Sequence, residues 1–190
     1  MTSTIINNDI PLLSYNSTGW SDIKADFVNT LLLSHSIYIC AIQEHFRLKP
    51  NIYKLQSGIS SDYELFAIPA FKSNAATFVG RPSGGIGFFY HKELNKYVTR
   101  IVVPNSHRVQ GLKLSFLGYS FVLINSYFPT DARGNRVDDT DLLQTLQDIK
   151  YIIDQCGDNC NVILMGDINT DFVRNSNFTN AVINFTVENN

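Results

Sequence analysis

Four apolar runs in this sequence of 190 residues each stop at a small group of polar side chains. Pro11 to Tyr15 stops at Asn16, and Ser36 to Ile42 stops at Gln43 and Glu44. Tyr119 to Phe128 carries Asn125 and Tyr127 near its end, and Asn161 to Met165 runs into Gly166-Asp167-Ile168-Asn169. Layered α/β proteins display their reacting groups at strand ends. The group holds two carboxylates, several amides and a phenol, and it has no Cys–His or Ser–His pair at a spacing that suits nucleophilic catalysis. Hard oxygen donors of this kind suit Mg²⁺, which takes one or two carboxylates and keeps waters for a phosphate. Such an ion is a Lewis acid on a phosphoryl oxygen and can hold the leaving oxygen. The residue types therefore point to phosphoryl transfer assisted by Mg²⁺ or Mn²⁺.

The elements that must position these groups follow from periodicity. Pro11–Asn16 reads as a strand, and Ser21 or Asp22 caps a helix carrying Ile23, Phe27, Leu31 and Leu32 at helical spacing. Ser36–Glu44 is β-branched, aromatic and almost continuously apolar, which predicts a strand buried on both faces. Residues 50–60 read as a short helix or turn. Strands are expected over Tyr63–Phe71, Ile86–His91, Val98–Val103, Val109–Phe116 and Tyr119–Phe128, the last two joined by a tight turn at Leu117-Gly118. Close succession of the last three implies antiparallel pairing. Asp138–Cys156 is the clearest helix, with Leu142, Leu146, Ile149 and Ile153 in one stripe, Leu143 and Ile152 widening it, and Asp139 or Thr140 as cap. Asn161–Asp167 reads as another buried strand, and Phe178–Val187 as a final amphipathic helix. Helix-linked strands at both ends with hairpins between them predict a mixed-sheet α/β layer architecture, not a doubly wound parallel sheet.

Composition limits the alternatives. Hydrophobic residues make up 44% and charged residues 17%, which excludes a disordered, coiled-coil or collagen-like chain. Fifteen basic against seventeen acidic side chains, a formal charge of −2, leaves no chain-wide basic footprint, although a local patch is compatible with that sum. Cys40, Cys156 and Cys160 form neither a disulfide framework nor a zinc ladder, because no second pair follows the last two. Met1–Asp9 has no basic start followed by an apolar stretch, and no run approaches the length of a membrane span.

Five short motifs then fall in one order. Asn16-Ser17-Thr18-Gly19 resembles the N-x-[N/D]-G stretch after the first strand of the endonuclease/exonuclease/phosphatase superfamily. Gln43-Glu44-His45 resembles its Q-E motif, and Gly84-Gly85-Ile86-Gly87 the paired-glycine start of a central strand. Asn125-Ser126-Tyr127-Phe128-Pro129 resembles N-x-Y-x-P, and Gly166-Asp167-Ile168-Asn169 resembles G-D-[FI]-N. The wording is most similar to the endonuclease domain of non-LTR (LINE-type) retrotransposons. The resemblance implies a four-layer α/β sandwich: two mixed, mostly antiparallel sheets face to face, helices outside. It also implies roles. Glu44 matches a metal-ligating glutamate, and Asn16 an asparagine that orders the metal and phosphate cluster. Tyr127 matches a tyrosine on the scissile phosphate, Asp167 the aspartate that positions or deprotonates the attacking water, and Asn169 an amide that holds the phosphate. Asn125 reads first as a structural amide that pairs a loop, and so ranks second as a substrate-binding residue. Lys72, Arg81 and Arg108 are candidate contacts to DNA phosphates.

What the resemblance implies is a Mg²⁺-dependent phosphodiester hydrolase, a DNA-nicking endonuclease of retrotransposon origin. Its partner is DNA, with no membrane and no obligate protein partner, and its location is intracellular, nuclear if it is an active retrotransposon product. The alternatives are a phosphomonoesterase or phospholipase of the same superfamily, or a non-catalytic relic. Thr18 stands where the family often has Asn or Asp. The family pattern continues to an I-D-x-[IV] strand and a closing S-D-H, which have no counterpart in residues 1–190. Asn105-Ser106-His107 precedes Tyr127 and Asp167 and is not that motif. Residues 1–190 are therefore expected to form a single domain, incomplete at its C-terminus and missing its last strands, with impaired activity.

Overall fold

The computed structural model describes residues 9–71, 81–116, 118–130, 139–157, 160–173 and 176–189. Eight strands build two four-stranded sheets. The first contains β1 (Leu12–Asn16), β2 (Ile39–Gln43), β3 (Tyr63–Ile68) and β4 (Ile86–His91), in the spatial order β1-β2-β4-β3. The second contains β5 (Val98–Val102), β6 (Val109–Phe116), β7 (Tyr119–Tyr127) and β8 (Cys160–Asp167), in sequential order. Each sheet has one parallel pair, β1–β2 and β7–β8, and its other pairs are antiparallel. Parallel neighbours need a crossover, and helices supply both. Helix α1 (Asp22–Ser34) links β1 to β2, and α2 (Asp139–Cys156) lies between β7 and β8. A third helix, α3 (Asn177–Glu188), packs with α2 over the second sheet.

Strand alternation sorts the side chains into three apolar layers. Ile39 and Ala41 of β2 point between the sheets and meet Phe88, Leu112, Leu114 and Leu123. Cys40 and Ile42 point the other way, onto Ala25, Val28 and Leu32 of α1. Val122 and Ile124 of β7 point outward onto Leu142, Leu146, Ile149 and Ile152 of α2. The order of layers is helix, sheet, sheet, helix, as the resemblance implies.

Several expectations need correction. The buried face of α1 is Ala25, Val28 and Leu32, whereas Ile23 is 82% exposed and Phe27 about half exposed, its ring 5.7 Å from that of Tyr15. The Ser21 side chain caps this helix by accepting from the Lys24 N–H. Helix α2 already contains Asp139 and Thr140, so neither precedes it; Asp138, like Leu117 of the expected turn, lies outside the described residues. Leu143 is exposed and does not widen the stripe. Strand β8 is not buried on both faces, because among the described residues it pairs only with β7 and leaves Val162 and Ile163 about 40% exposed. Cys156 and Cys160 are joined as a disulfide with Cα atoms 5.6 Å apart, at the end of α2 and the start of β8, against the expectation of no disulfide. Among the described residues no helix is long and apolar enough to cross a membrane.

Gly166 has φ +133°, and a Cβ there would overlap the Ser126 carbonyl across the β7–β8 ladder. Gly166→Ala is expected to destabilise the chain by about 3 kcal/mol or more in urea unfolding. An unchanged midpoint would show that the ladder can shift to accept a side chain.

Candidate functional site

Ladder registers bring the strand ends together. Asn16 is the partner of Gln43 in the β1–β2 ladder, and Tyr127 the partner of Asp167 in β7–β8. The two sheets then join across their facing ends. Asn16 Nδ2 donates to Asp167 Oδ2 at 2.6 Å, from the first sheet to the second. Tyr127 donates its hydroxyl to Glu44 Oε1 at 2.5 Å, from the second sheet to the first. Asp167 Oδ1 accepts the Asn169 N–H at 3.0 Å, and Asn169 Nδ2 donates to the Phe128 carbonyl at 2.9 Å. Asn16, Asp167 and Asn169 form one bonded group and Tyr127 with Glu44 a second, made neighbours by the Tyr127–Asp167 register of the β7–β8 ladder, and all five residues are partly exposed.

The loops of the cluster hold unusual backbone. Thr18, Glu44, Phe46 and Asn169 have φ between 43° and 55°, the left-handed region that non-glycine residues seldom occupy. Such residues cost on the order of 1 kcal/mol each and persist only where their surroundings enforce them. The enforcing contacts are visible. The Gly19 N–H bonds the Glu44 carbonyl at 2.6 Å, and the Trp20 N–H bonds that of His45 at 3.1 Å. The His45 and Phe46 N–H groups bond the Gly85 and Gly84 carbonyls at 3.2 Å each.

His45 is fully buried beneath this segment. Its Nδ1 accepts the Arg47 N–H at 2.9 Å, so Nε2 carries the proton and donates to the Ile68 carbonyl at 3.0 Å. Burial pushes its pKa down to about 4. Gly85, at φ +83°, leaves room for the ring, which a Cβ would overlap.

Tyr127 is held from both sides. Its N–H bonds the Arg108 carbonyl at 2.9 Å, while Arg108 Nη1 donates to the Tyr127 carbonyl at 3.3 Å and Nη2 to Asp141 at 3.2 Å. Burial, followed by the Glu44 hydrogen bond and the Glu44 and Asp167 charges, pushes the Tyr127 phenol well above its ordinary range, with Arg108 opposing. At neutral pH the phenol is therefore a donor.

Asn125 requires a correction. It is fully buried, its Oδ1 accepts from Gln43 Nε2 at 2.9 Å, and its Nδ2 donates to the Ile42 and Gly87 carbonyls at 3.1 and 2.9 Å. It clamps the two sheets and cannot reach a substrate. Arg108 is committed to Asp141 and Tyr127 instead of standing free, and the Arg81 guanidinium lies 4.1 Å from the Phe46 ring centroid. Lys72 lies outside the described residues.

One positioning residue had no signal in the sequence. Lys24, on the first turn of α1, donates to the carbonyls of Ser17, Thr18 and Gly19. It thereby ties down the loop in which the Thr18 N–H and hydroxyl both bond Asn16 Oδ1, and so aims Asn16 Nδ2 at Asp167. A lysine near a helix start reads as a solvated charge until the loop is folded over it.

The cluster is set by strand ends of two facing mixed sheets, an arrangement shared with solved structures. The endonuclease domain of TRAS1, a telomere-specific non-LTR retrotransposon, superposes with a TM-score of 0.60 at 15% identity, covering 94% of this chain and 71% of that domain. AP endonuclease LMAP from Leishmania major superposes with a TM-score of 0.69 at 12% identity, covering all of this chain and 70% of that one. An endonuclease/exonuclease/phosphatase family protein from Leptotrichia buccalis gives 0.61 at 15% identity, covering 95% and 73%. The chain has the endonuclease/exonuclease/phosphatase fold. No protein-family model and no curated protein sequence matches it. Within this fold the cluster lies where the two sheets meet at the ends of β1, β2, β7 and β8.

The donors in the cluster are all oxygens and amides. Among the described residues no group of three or more His, Cys, Asp or Glu converges, so a zinc-type cage is not formed there. One or two carboxylates with amide and phenol neighbours match what Mg²⁺ takes while keeping its waters. Glu44, which follows Gln43, the ladder partner of Asn16, could take part in holding such an ion.

Two outcomes follow. Asn125→Leu removes one of the two partners of Gln43 Nε2 and a donor from each of two buried carbonyls, and should cost about 3 kcal/mol or more in urea unfolding, because each unpaired buried group costs roughly 1–3 kcal/mol. A loss under 1 kcal/mol would show that the clamp is dispensable. His45 is neutral in the fold, whereas the unfolded chain takes up its proton near pH 6.5. Its contribution is therefore complete above about pH 6.5 and is lost as pH falls toward about 4, by on the order of 3 kcal/mol. Urea midpoints across that window should drop, and His45→Gln should flatten the drop.

Proposed function

We propose that this chain is a metal-dependent phosphodiester hydrolase that nicks DNA. The observation that carries the proposal is the pair of bonds between the sheets, Tyr127 to Glu44 and Asn16 to Asp167, which brings a phenol, an amide and two carboxylates to the facing strand ends, with Asn169 bonded to Asp167. Phosphoryl transfer demands little covalent chemistry from a protein; it needs positioning and charge stabilisation. This cluster supplies both. The fold shared with a retrotransposon endonuclease domain supports DNA as the substrate.

Each residue has a part consistent with its bonding. Tyr127, kept protonated, turns its one O–H from Glu44 to a phosphate oxygen when substrate binds. Asn169 Nδ2, already anchored on the Phe128 carbonyl, has a second N–H for another. Asp167, aimed by Asn16 and the Asn169 N–H, orients the attacking water and takes its proton. Mg²⁺ or Mn²⁺ bound at Glu44 would neutralise charge on the phosphate and the leaving oxygen. Preorganised donors of this kind are worth about 10²–10³ in rate apiece. His45 has no part in the reaction, since both its ring nitrogens are used in holding the Glu44 segment.

The test is conversion of supercoiled plasmid to open circles in the presence of Mg²⁺. Slow nicking that falls at least about 100-fold in Glu44→Ala and in Asp167→Asn is expected. Chelation of the metal should abolish it. Nicking that survives Glu44→Ala unchanged would overturn the proposal, and binding of Mg²⁺ at Glu44 with no turnover would instead identify a non-catalytic relic.

A further inference from the structure

A cavity of about 340 Å³ opens between the turn at Pro104–Arg108 and the first turns of α2. It falls in the size range of small-ligand sites, roughly 300–1,000 Å³. None of the catalytic roles proposed above uses it. His107, Arg108, Asp141, Gln144, Thr145 and Asp148 line it. The turn is firmly built. The Ser106 hydroxyl accepts the Arg108 and Val109 N–H groups at 3.4 and 3.2 Å, and the Ser106 N–H bonds the Val103 carbonyl at 3.2 Å. The His107 ring rests against Phe71, with centroids 4.2 Å apart.

Arg108 connects this cavity to the cluster. It lines the cavity, bonds the Tyr127 backbone in both directions, and lies 5.5 Å from the Tyr127 ring centroid. Arg108 is thus shared between the cavity and Tyr127.

The chemistry of the lining selects what that group is. Asp148 is 8% exposed, and among the described residues it has no ion-pair partner. Its Oδ1 accepts from Gln144 Nε2 at 2.8 Å. A buried carboxylate is costly without donors around it, and each of its oxygens can accept twice. The one guanidinium present is already committed to Asp141, so two carboxylates face a single cation. A phosphate would be repelled. An uncharged planar group with neighbouring N–H donors would be held.

We propose that this cavity is a nucleobase subsite, receiving an unpaired guanine with its N1–H and N2–H on the Asp148 carboxylate and its face toward His107. The inference rests on the reading of the chain as a DNA hydrolase. Among the bases guanine alone presents two adjacent N–H donors on its Watson–Crick edge, and a carboxylate presents two adjacent acceptors. Enzymes that take an unpaired base into a pocket read it through that edge and by packing on side chains.

The test is fluorescence anisotropy in EDTA, using the whole chain and short labelled oligothymidylates with one central position varied. Guanine should bind roughly tenfold tighter than thymine at that position. Inosine, which lacks the N2 amine, should lose most of the gain, and 7-deazaguanine, which keeps both donors, should retain it. Asp148→Asn should level guanine and thymine; the oligonucleotide series decides the matter even if that variant fails to fold. Equal affinity for guanine and thymine, inosine equal to guanine, or no binding to any strand would overturn the proposal. Turnover is not needed for this measurement. A guanine preference without plasmid nicking would sink the hydrolase reading alone, and nicking without a preference would sink the subsite alone.

Discussion

Asn125 is buried where the two sheets face each other, and its amide makes three hydrogen bonds: one from Gln43, and one each to the carbonyls of Ile42 and Gly87. All its partners belong to the first sheet, while Asn125 belongs to the second. Apolar contacts such as Ile39 and Ala41 against Leu112 and Leu123 hold the sheets together without fixing their relative slide, because dispersion is non-directional. The amide bonds are directional, and a slide of one residue would leave several buried polar groups unpaired. The distances that matter for chemistry lie just beyond this clamp. Gln43 precedes Glu44, and Asn125 stands two residues before Tyr127 on the same face of β7. The Tyr127–Glu44 bond inherits its alignment from the clamp.

Beyond the clamp the chain leaves regular structure, and it does so under restraint. Glu44 and Phe46 hold left-handed backbone because backbone bonds from Gly19, Trp20, Gly84 and Gly85, together with the buried His45 ring, leave no other path. Asn169 is held likewise by Asp167 and the Phe128 carbonyl. Strained positions that cluster at the facing strand ends, each braced by several partners, mark a place where geometry matters more than local stability. The same logic explains Lys24, whose ammonium is used on three loop carbonyls and not on solvent.

The positions of the strands along the chain, the antiparallel pairing of β5, β6 and β7, and the polar strand ends were legible in the sequence because they follow from short connections, period-two alternation and abrupt ends of apolar runs. Three features were not. The stripe of α1 was misplaced: Ile23, Phe27 and Leu31 are as apolar as the true face, and only the sheet beneath decides that Ala25 and Val28 are covered. The run Asn161–Met165 suggests a strand buried on both faces, but among the described residues pairing on one side alone leaves Val162 and Ile163 exposed. Asn125 shares a motif with Tyr127, and two residues along a strand put both on one face; depth within the sandwich then separates the structural amide from the exposed phenol.

By itself the sequence determined which residue types stand at the strand ends, and hence that carboxylates, amides and a phenol, not thiols, gather there. That information is local, because a strand's period and stop are written in its own residues. Tertiary structure alone decided which donors meet. The bonds Asn16–Asp167 and Tyr127–Glu44 join residues far apart in the chain, and they exist only because two sheets dock in one register. It also decided that His45 supports Glu44 from beneath and that Asp148 faces a cavity. Burial and the direction of a side chain's partners belong to the packed molecule, and no short stretch of residues encodes them.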